Sequence, residues 1–535
     1  MLLYVFACQA TVRGDHVDGV DTGSGASEAA RDGVRWGEEV LCEAPVAGFD
    51  RLEDQTEERG LDIALEGTAG SNLGGGLAAS DLDGDGDIDL VFGTQSTLPR
   101  VLRNDGHGVF DEVGSREAFT GDLQGGVSHF GVGDLDQDGL PDLLLVSADL
   151  FAVAWNLGNL VFSEAEALWF TYTWPKGIRG TLSLGDVDGD GDLDALLPGI
   201  QELASSGDSQ APTGASDVVL LQTDTGWVVG EELTPEGTPG LAITGVFTDR
   251  DADGDADLLV LSDRAQLEGE VPPNAFYRND GGTLHNDASE LGVDFVMSAM
   301  GLVTGDWNGD GALDYCASSI GSLVCLTSDS EGYYDAGQAM GLTATHVAEP
   351  SAWSGWSVAL DDLDNDGHAD LAVAGGAPLG GDSAGSSYPD ALFRGEGPMQ
   401  FVQDTPAAFA DATDHYGLVT ADLDGDGYLE VVVSGAPGPP TAWWNVCGEG
   451  AWVEVRIEGE PPNLEALGAR LVATWEGGSS TREVQTMRSL AQSSRWLHVG
   501  LGVAESVDLT VTWPDGARVE HLDLPVRRRI VVERP

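Results

Sequence analysis

Short apolar runs of strand length return along the whole chain, and each is entered through a tight polar segment. Phe92, Leu145, Leu197, Val260, Ala317, Val373 and Val433 hold equivalent places in seven of them, in stretches such as Glu430-Val-Val-Val433. Runs this short, bounded by Gly, predict buried strands rather than helices. Before the first run, the apolar Gly-rich stretch 75–80 predicts a partner strand. After it come a third strand, ending at Asn104-Asp105-Gly106, and a fourth, Val109–Val113, containing Phe110. Asn-Asp-Gly favours a tight hairpin and returns at 279–281, with weaker relatives at Asn156-Leu157-Gly158 and Gln222-Thr223-Asp224. Four short antiparallel strands per unit predict the blade of an all-β propeller.

The polar segments share the form D-x-[DN]-x-D-G-x-x-[DE] and start at Asp81, Asp134, Asp186, Asp249, Asp306, Asp362 and Asp422. The predicted ligand positions, numbered 1, 3, 5 and 9, are Asp81, Asp83, Asp85 and Asp89, then Asp134, Asp136, Asp138 and Asp142. They continue as Asp186, Asp188, Asp190 and Asp194, and as Asp249, Asp251, Asp253 and Asp257. The last three sets are Asp306, Asn308, Asp310 and Asp314; Asp362, Asp364, Asp366 and Asp370; and Asp422, Asp424, Asp426 and Glu430. Position 6 is Gly in all seven. Alternating acids around a sharp Gly turn supply the oxygen cage that Ca²⁺ requires, so up to seven structural calcium ions are expected.

An EF-hand opens the same way but needs a bidentate Glu at position 12 and flanking helices. Here position 12 is the apolar residue already named, inside a strand, so that reading fails. Tandem calcium-wire repeats would need closer spacing and little core between sites. Solvated acidic turns would account for one copy but poorly for seven in register.

The seventh loop is followed by two strands (429–433 and 442–446) but no Phe-containing fourth. That piece stands before the first loop, as Gly48-Phe49-Asp50-Arg51-Leu52-Glu53, so the N-terminal segment is expected to complete the seventh blade. Such a latch would bring Cys42 to Cys447, while Cys316 and Cys325 flank a strand-two/strand-three turn. Disulfides Cys42–Cys447 and Cys316–Cys325 are predicted, with four free thiols as the alternative. The expected division is 1–46 as a signal remnant and flexible tether, 47–447 as a seven-bladed propeller, and 448–535 as a small β-sandwich-like domain.

Acids outnumber bases 91 to 24, and the one lysine is Lys176. Nucleic acid and anionic lipid surfaces both demand basic patches, so neither is an expected partner. Site affinities typical of extracellular calcium modules place the chain outside the cytosol. Leu2 to Cys8 is too short for a span and resembles the end of a bacterial lipoprotein signal, with Cys8 as lipid acceptor. The expected location is secreted or on the cell surface of a bacterial envelope, with membrane contact only through such an anchor.

The seven loops and strands such as Gly417-Leu-Val-Thr-Ala-Asp422 resemble FG-GAP/VCBS repeats, the units of the integrin α propeller. The resemblance implies calcium in the loop between strands one and two, with the 2–3 and 4–1 loops on the opposite face. After Cys447, Asn463, Gly468-Ala469-Arg470, Gln492-Ser493, Gly500-Leu501-Gly502 and Trp513-Pro514-Asp515-Gly516 are similar to the ASPIC/UnbV domain. That domain follows a calcium propeller in cartilage acidic protein and its bacterial relatives.

On that opposite face fall the long loops 201–216 and 376–390 and aromatic segments holding Trp169, Trp174, Trp353 and Trp356. Trp169, Trp174 and Trp353 are therefore candidates for binding an extracellular protein or glycan, against the alternative that they pack between blades. No catalytic constellation is legible, and the reading is a recognition or adhesion module. The alternative is a carbohydrate-active lyase or hydrolase using His129, His346 or His415 near the channel. Gly381-Asp-Ser383-Ala-Gly385 fits G-x-S-x-G but lacks the strand–turn–helix setting of a nucleophile elbow.

Overall fold

The computed structural model describes residues 33–42, 52–65, 76–94, 98–114, 129–146, 151–163, 180–199, 216–223, 226–233, 242–263, 273–343, 353–376, 388–405, 414–435, 438–486 and 491–535, with short pieces at 11–12, 30–31, 45–46, 118–119, 127, 166–167 and 409. Every named element among them is a β-strand. Seven sheets share one antiparallel order in which strands one to four of a repeat are neighbours. In the first repeat these are Leu77–Ser80, Asp89–Phe92, Arg100–Asn104 and Phe110–Val113. The first strands of successive repeats lie side by side, and His415–Ala421 of the seventh lies against Leu77–Ser80 of the first. The sheets therefore close into a propeller ring, in which radial repetition leaves only short outer edges.

Closure comes from the N-terminal segment. Leu52–Asp54 pairs antiparallel with the seventh repeat's third strand, Trp444 opposite Glu53 and Asn445 opposite Leu52. Both disulfides, Cys42–Cys447 and Cys316–Cys325, are present. Such bonds persist in oxidising compartments, which puts the fold outside the cytosol. No helix among the described residues is long and apolar enough to cross a membrane.

The expectation of a flexible tether over residues 9–46 is corrected for part of that span. Val34–Trp36 pairs with Arg528–Val532 and joins a sheet of the C-terminal domain. Val34 is buried in the core, and Arg35 forms ion pairs with Glu458 and Glu533. An acidic, Gly-rich composition hides one short apolar strand whose partner lies almost 500 residues away.

The C-terminal domain packs that sheet against a second one made of Arg470–Trp475, Gly478–Glu483, Ser506–Thr512 and Arg518–Pro525. Its core is continuous with the ring. Leu135, Leu144 and Leu193 of the second and third repeats cluster with Val453, Leu471, Leu509 and Ile530.

From this domain a strap enters the axis of the ring. Arg482 Nη1 donates to the Leu360 carbonyl (3.2 Å), and Glu483 accepts from Thr248 Oγ1 (2.9 Å). Thr304 Oγ1 donates to Gln485, Thr486 Oγ1 donates to the Leu184 carbonyl, and Gln492 accepts from the Val132 amide. Ala491–Gln492 then adds a parallel strand beside Leu77–Ala78. One strap thus hydrogen-bonds the first strands of repeats one to six.

Candidate metal centres

Each loop is built identically, and backbone amides aim its carboxylates. Position 6 is a Gly at positive φ in every copy, from Gly427 at 82° to Gly86 and Gly254 at 97°. Position 4 is also left-handed throughout, at Gly84, Gln137, Gly189, Ala252, Gly309, Asn365 and Gly425. These two reversals wrap the chain tightly enough for the position 6 amide to donate to the position 1 carboxylate. Gly254 N to Asp249 Oδ2 (3.2 Å) and Gly367 N to Asp362 Oδ2 (2.7 Å) span the seven copies. The position 7 amide donates to the position 5 carboxylate in every loop, as from Tyr428 to Asp426 (2.8 Å).

Position 9 does more than its expected ligand role. In each loop one of its oxygens accepts the position 2 amide, as from Leu82 to Asp89 and Leu363 to Asp370. The other accepts an amide at the end of strand three, as from Asn104 to Asp89 and Gln222 to Asp194. A single acid therefore ties loop entry, strand two and strand three together.

The residue donating that bond is usually Asn, the residue that opens the Asn-Asp-Gly turns. Its side chain stitches adjacent repeats. Asn104 Nδ2 donates to the Ile88 carbonyl in its own loop and to the Leu423 carbonyl at position 2 of the seventh. Asn156, Gln222, Asn279 and Asn445 reach Leu82, Leu135, Val187 and Leu363 in the preceding loop in the same way. Repeat six has Gly395 there, and Met399 N instead donates to the Trp307 carbonyl. The recurrence of Asn at the end of strand three was the available signal, but it reads first as turn chemistry.

The loops fit a cation. Three carboxylates can each bring an oxygen within 4.8 Å of the others in sets such as Asp81/Asp83/Asp85, Asp134/Asp136/Asp142, Asp186/Asp188/Asp194, Asp249/Asp251/Asp253 and Asp362/Asp364/Asp370. Asp83 Oδ1 and Asp422 Oδ1 are buried without a hydrogen-bond partner, a costly arrangement that an ion would relieve. Burial is the main cause that lifts these acids above the ordinary carboxylate range, with neighbouring carboxylates adding to it and backbone amides opposing it. Asp89 and Asp194 rise to about 8, Asp142 and Asp257 to about 7, and Asp81, Asp134 and Asp186 to about 6. Asp362, Asp370, Asp422 and Glu430, wholly enclosed, also stand well above it.

The loops are not equivalent. Arg103 lies 3.1 Å from Asp83 and Arg250 lies 3.1 Å from Asp251. In the seventh, Trp444 Nε1 donates to Asp424 (2.8 Å), and Arg59 stacks on Trp444, 3.7 Å from the same carboxylate.

The aromatic candidates fare differently. Trp169 and Trp174 lie outside the described residues, as do most of the 201–216 and 376–390 loops, His346 and Ser383. Trp353 is corrected. It is 1% exposed, packs in a core cluster and donates its indole N–H to the Pro389 carbonyl (3.0 Å), so it cannot present a ring to a ligand. Trp356 is likewise buried, tilted against Tyr416. Trp353 immediately precedes and Trp356 lies within the first strand of repeat six, every residue of which is buried.

The two described channel histidines lie in separate surroundings. His415 is buried with Nδ1 2.7 Å from Asp390. His129 faces a small chamber walled by Thr181, Ala491 and Gln492, the last two from the strap. Burial lowers its imidazole to about 4, so it is neutral.

Strand order, ring closure and loops together define an all-β propeller with a docked C-terminal β domain. The FG-GAP-like repeat family matches residues 81–145, 134–197, 249–317 and 362–433. The ASPIC and UnbV family matches residues 459–535. The chain is an FG-GAP-like repeat protein with a C-terminal ASPIC and UnbV domain. No curated protein matches it by sequence. Among solved structures it is similar to an Agrocybe aegerita lectin that recognises non-reducing terminal N-acetylglucosamine, at 18% identity over 62% of this chain and 80% of that one, TM-score 0.38. It is also similar to the extracellular domain of a hybrid two-component system from B. thetaiotaomicron, at 10% identity over 93% of this chain and 60% of that one, TM-score 0.42. PorZ, a surface component of the type-IX secretion system of Porphyromonas gingivalis, matches at 10% identity over 88% of this chain and 60% of its own, TM-score 0.41. The chain thus spans less than two thirds of the latter two.

Proposed function

We propose that this chain is an extracellular recognition module whose propeller is held in shape by calcium. One observation carries the calcium reading. All seven loops repeat one backbone geometry in which amides orient carboxylates, and sets such as Asp81/Asp83/Asp85 and Asp362/Asp364/Asp370 bring three carboxylate oxygens within 4.8 Å of one another. Short alternating acids of this kind supply hard oxygen ligands in the number Ca²⁺ takes, whereas zinc sites draw on His and Cys. Positions 1, 3, 5 and 9 would supply the ligands, and position 9 also anchors the loop through the amides it accepts. When bound, the ion supplies positive charge that cancels the repulsion among them.

Recognition rests on the ring's rigidity and on the loops away from the metal face, Trp169 and Trp174 among them, with a protein or glycan as ligand. The strap occupies the axis, so a ligand meets the rim rather than the channel. Titration calorimetry with Ca²⁺ tests the first reading, with several sites expected and Mg²⁺ a weak competitor. A glycan and protein array run with and without calcium tests the second. Binding that vanishes in Trp169→Ala/Trp174→Ala with an unchanged Tm would support the aromatic face, and unaltered binding would refute it. Product release from a glycan on the array would instead favour an enzyme.

A further inference from the structure

The C-terminal domain sits directly on the loops proposed to hold metal. Thr481 Oγ1 donates to Asp306 Oδ2 at 2.9 Å, so a position 1 carboxylate of the fifth loop shares an oxygen with the other domain. Arg529, fastened to Glu454 at 2.7 Å, approaches Asp422 Oδ2 of the seventh loop at 3.5 Å. At the sixth loop, His498 Nε2 lies 2.7 Å from Asn365 Oδ1, and Gly502 N donates to the Asn365 carbonyl at 3.0 Å. The glycines at position 6 of loops three, four and seven press on Pro462, Pro514 and Trp452, which fill the space a Cβ would need.

These contacts need the loops in their wrapped shape. Thr481 and Arg529 address carboxylate oxygens that must stay aimed, and Pro462, Pro514 and Trp452 read backbone at left-handed glycines. An empty loop crowds four acids together, and their repulsion favours opening the wrap that the neighbouring domain recognises. A seated domain, in turn, holds the loop closed around its ion. Coupling between two such sites is reciprocal: whatever metal adds to docking, docking adds to metal affinity.

We infer that metal loading of the ring and seating of the C-terminal domain form one linked equilibrium, with that domain acting as a metal-dependent lid. The inference rests on the calcium reading above. The lid does not detach when it loosens, because Cys42–Cys447 and the strand Val34–Trp36 tie it to the ring through the N-terminal segment. Loosening would withdraw the strap from the axis and bare the shared core around Leu135, Leu144 and Leu193.

The test uses the full chain and Ca²⁺ alone. Calorimetry measures binding, and hydrogen exchange measures the lid in calcium and after its removal. Exchange at 491–492, paired with the ring, and at Gly502 should rise at least tenfold without calcium, while 497–501 and 506–512, paired within the domain, stay protected. Calcium that binds yet leaves 491–492 and Gly502 unchanged overturns the lid and leaves the calcium reading standing. No calcium binding overturns both. Loss of protection at 497–501 and 506–512 in step with 491–492 also overturns the lid, because the domain then unfolds rather than lifts. Reciprocity is read from Thr481→Val/Arg529→Met, which should weaken calcium binding about fivefold or more at two sites. Should that pair fail to fold, Thr481→Val alone serves at one site. Unaltered affinity in a folded variant would overturn the coupling.

Discussion

The side-chain Nδ2 of Asn156 donates to the backbone carbonyl of Leu82 at 2.8 Å, across 74 positions and from one repeat into the loop of the one before. The same nitrogen donates to Pro141 within its own loop, and its Oδ1 accepts from Gly158. One buried amide therefore joins a hairpin turn, an acidic loop and an inter-repeat seam. Replacing it with Ala leaves two carbonyls and an amide without partners. Asn156→Ala should cost about 2–4 kcal/mol, at about 1–3 kcal/mol for each buried group left unsatisfied with partial relaxation. Denaturant unfolding would measure it, and a loss under about 0.5 kcal/mol would refute the seam.

Positions 3 and 9 of a loop should behave differently when altered. Asp194 uses both oxygens on the amides of Val187 and Gln222 and is buried, whereas Asp188 is exposed at the loop surface. Asp194→Asn puts an N–H₂ against one of two donors and should lower stability even without metal, by about 2 kcal/mol. Asp188→Asn should lower calcium affinity at that loop and leave the metal-free Tm within a degree or so. Melting both variants with and without calcium separates the two roles.

Metal-free protein should lose stability as pH rises. Asp89 and Asp194 titrate near 8 in the fold, and Asp142 and Asp257 near 7, all far above unfolded carboxylates. Between about pH 4 and 8 the folded chain then binds more protons than the unfolded one, so stability falls with increasing pH. Calcium holds the same groups ionised, so above about pH 5 neither state binds extra protons and the slope disappears. Tm measured at pH 5, 6.5 and 8 should fall without metal and stay nearly level with it. Parallel curves would contradict this.

Removing the covalent tie should loosen the ring at its seam. The Cys42–Cys447 bond joins residues 405 positions apart beside Leu52–Asp54. Cys42→Ser/Cys447→Ser should cost about 2–4 kcal/mol. Exchange should rise first at 52–54 and 441–445, since only three residue pairs close the seventh sheet there. Uniform loss across all repeats would argue against a local seam.

Calcium removal should lower Tm steeply. At free calcium ten times Kd, each site contributes about 1.4 kcal/mol. Calorimetry in chelator should therefore show a loss of several kcal/mol, and an unmoved transition would refute a structural ion.

Much of this architecture is local in origin and legible in the sequence alone. The repeated strand runs, the left-handed Gly at position 6 and the alternating acids each act within a dozen residues, so spacing alone reveals them. The latch strand and Cys42–Cys447 are readable too, because a missing fourth strand at one end matches a spare one at the other, and Cys316–Cys325 because the pair flanks one short hairpin turn. What depended on distance was not legible. Val34–Trp36 reads as tether until Arg528–Val532 offers it an edge. Trp353 reads as a loop ring until Pro389 and its core neighbours enclose it. Asn156 reads as a turn residue until Leu82 comes within reach, and Thr481 to Gln492 carry no pattern that announces a strap. Their partners are named only by the closed ring, whose curvature brings the C-terminal domain onto the acidic loops and its strap into the axis.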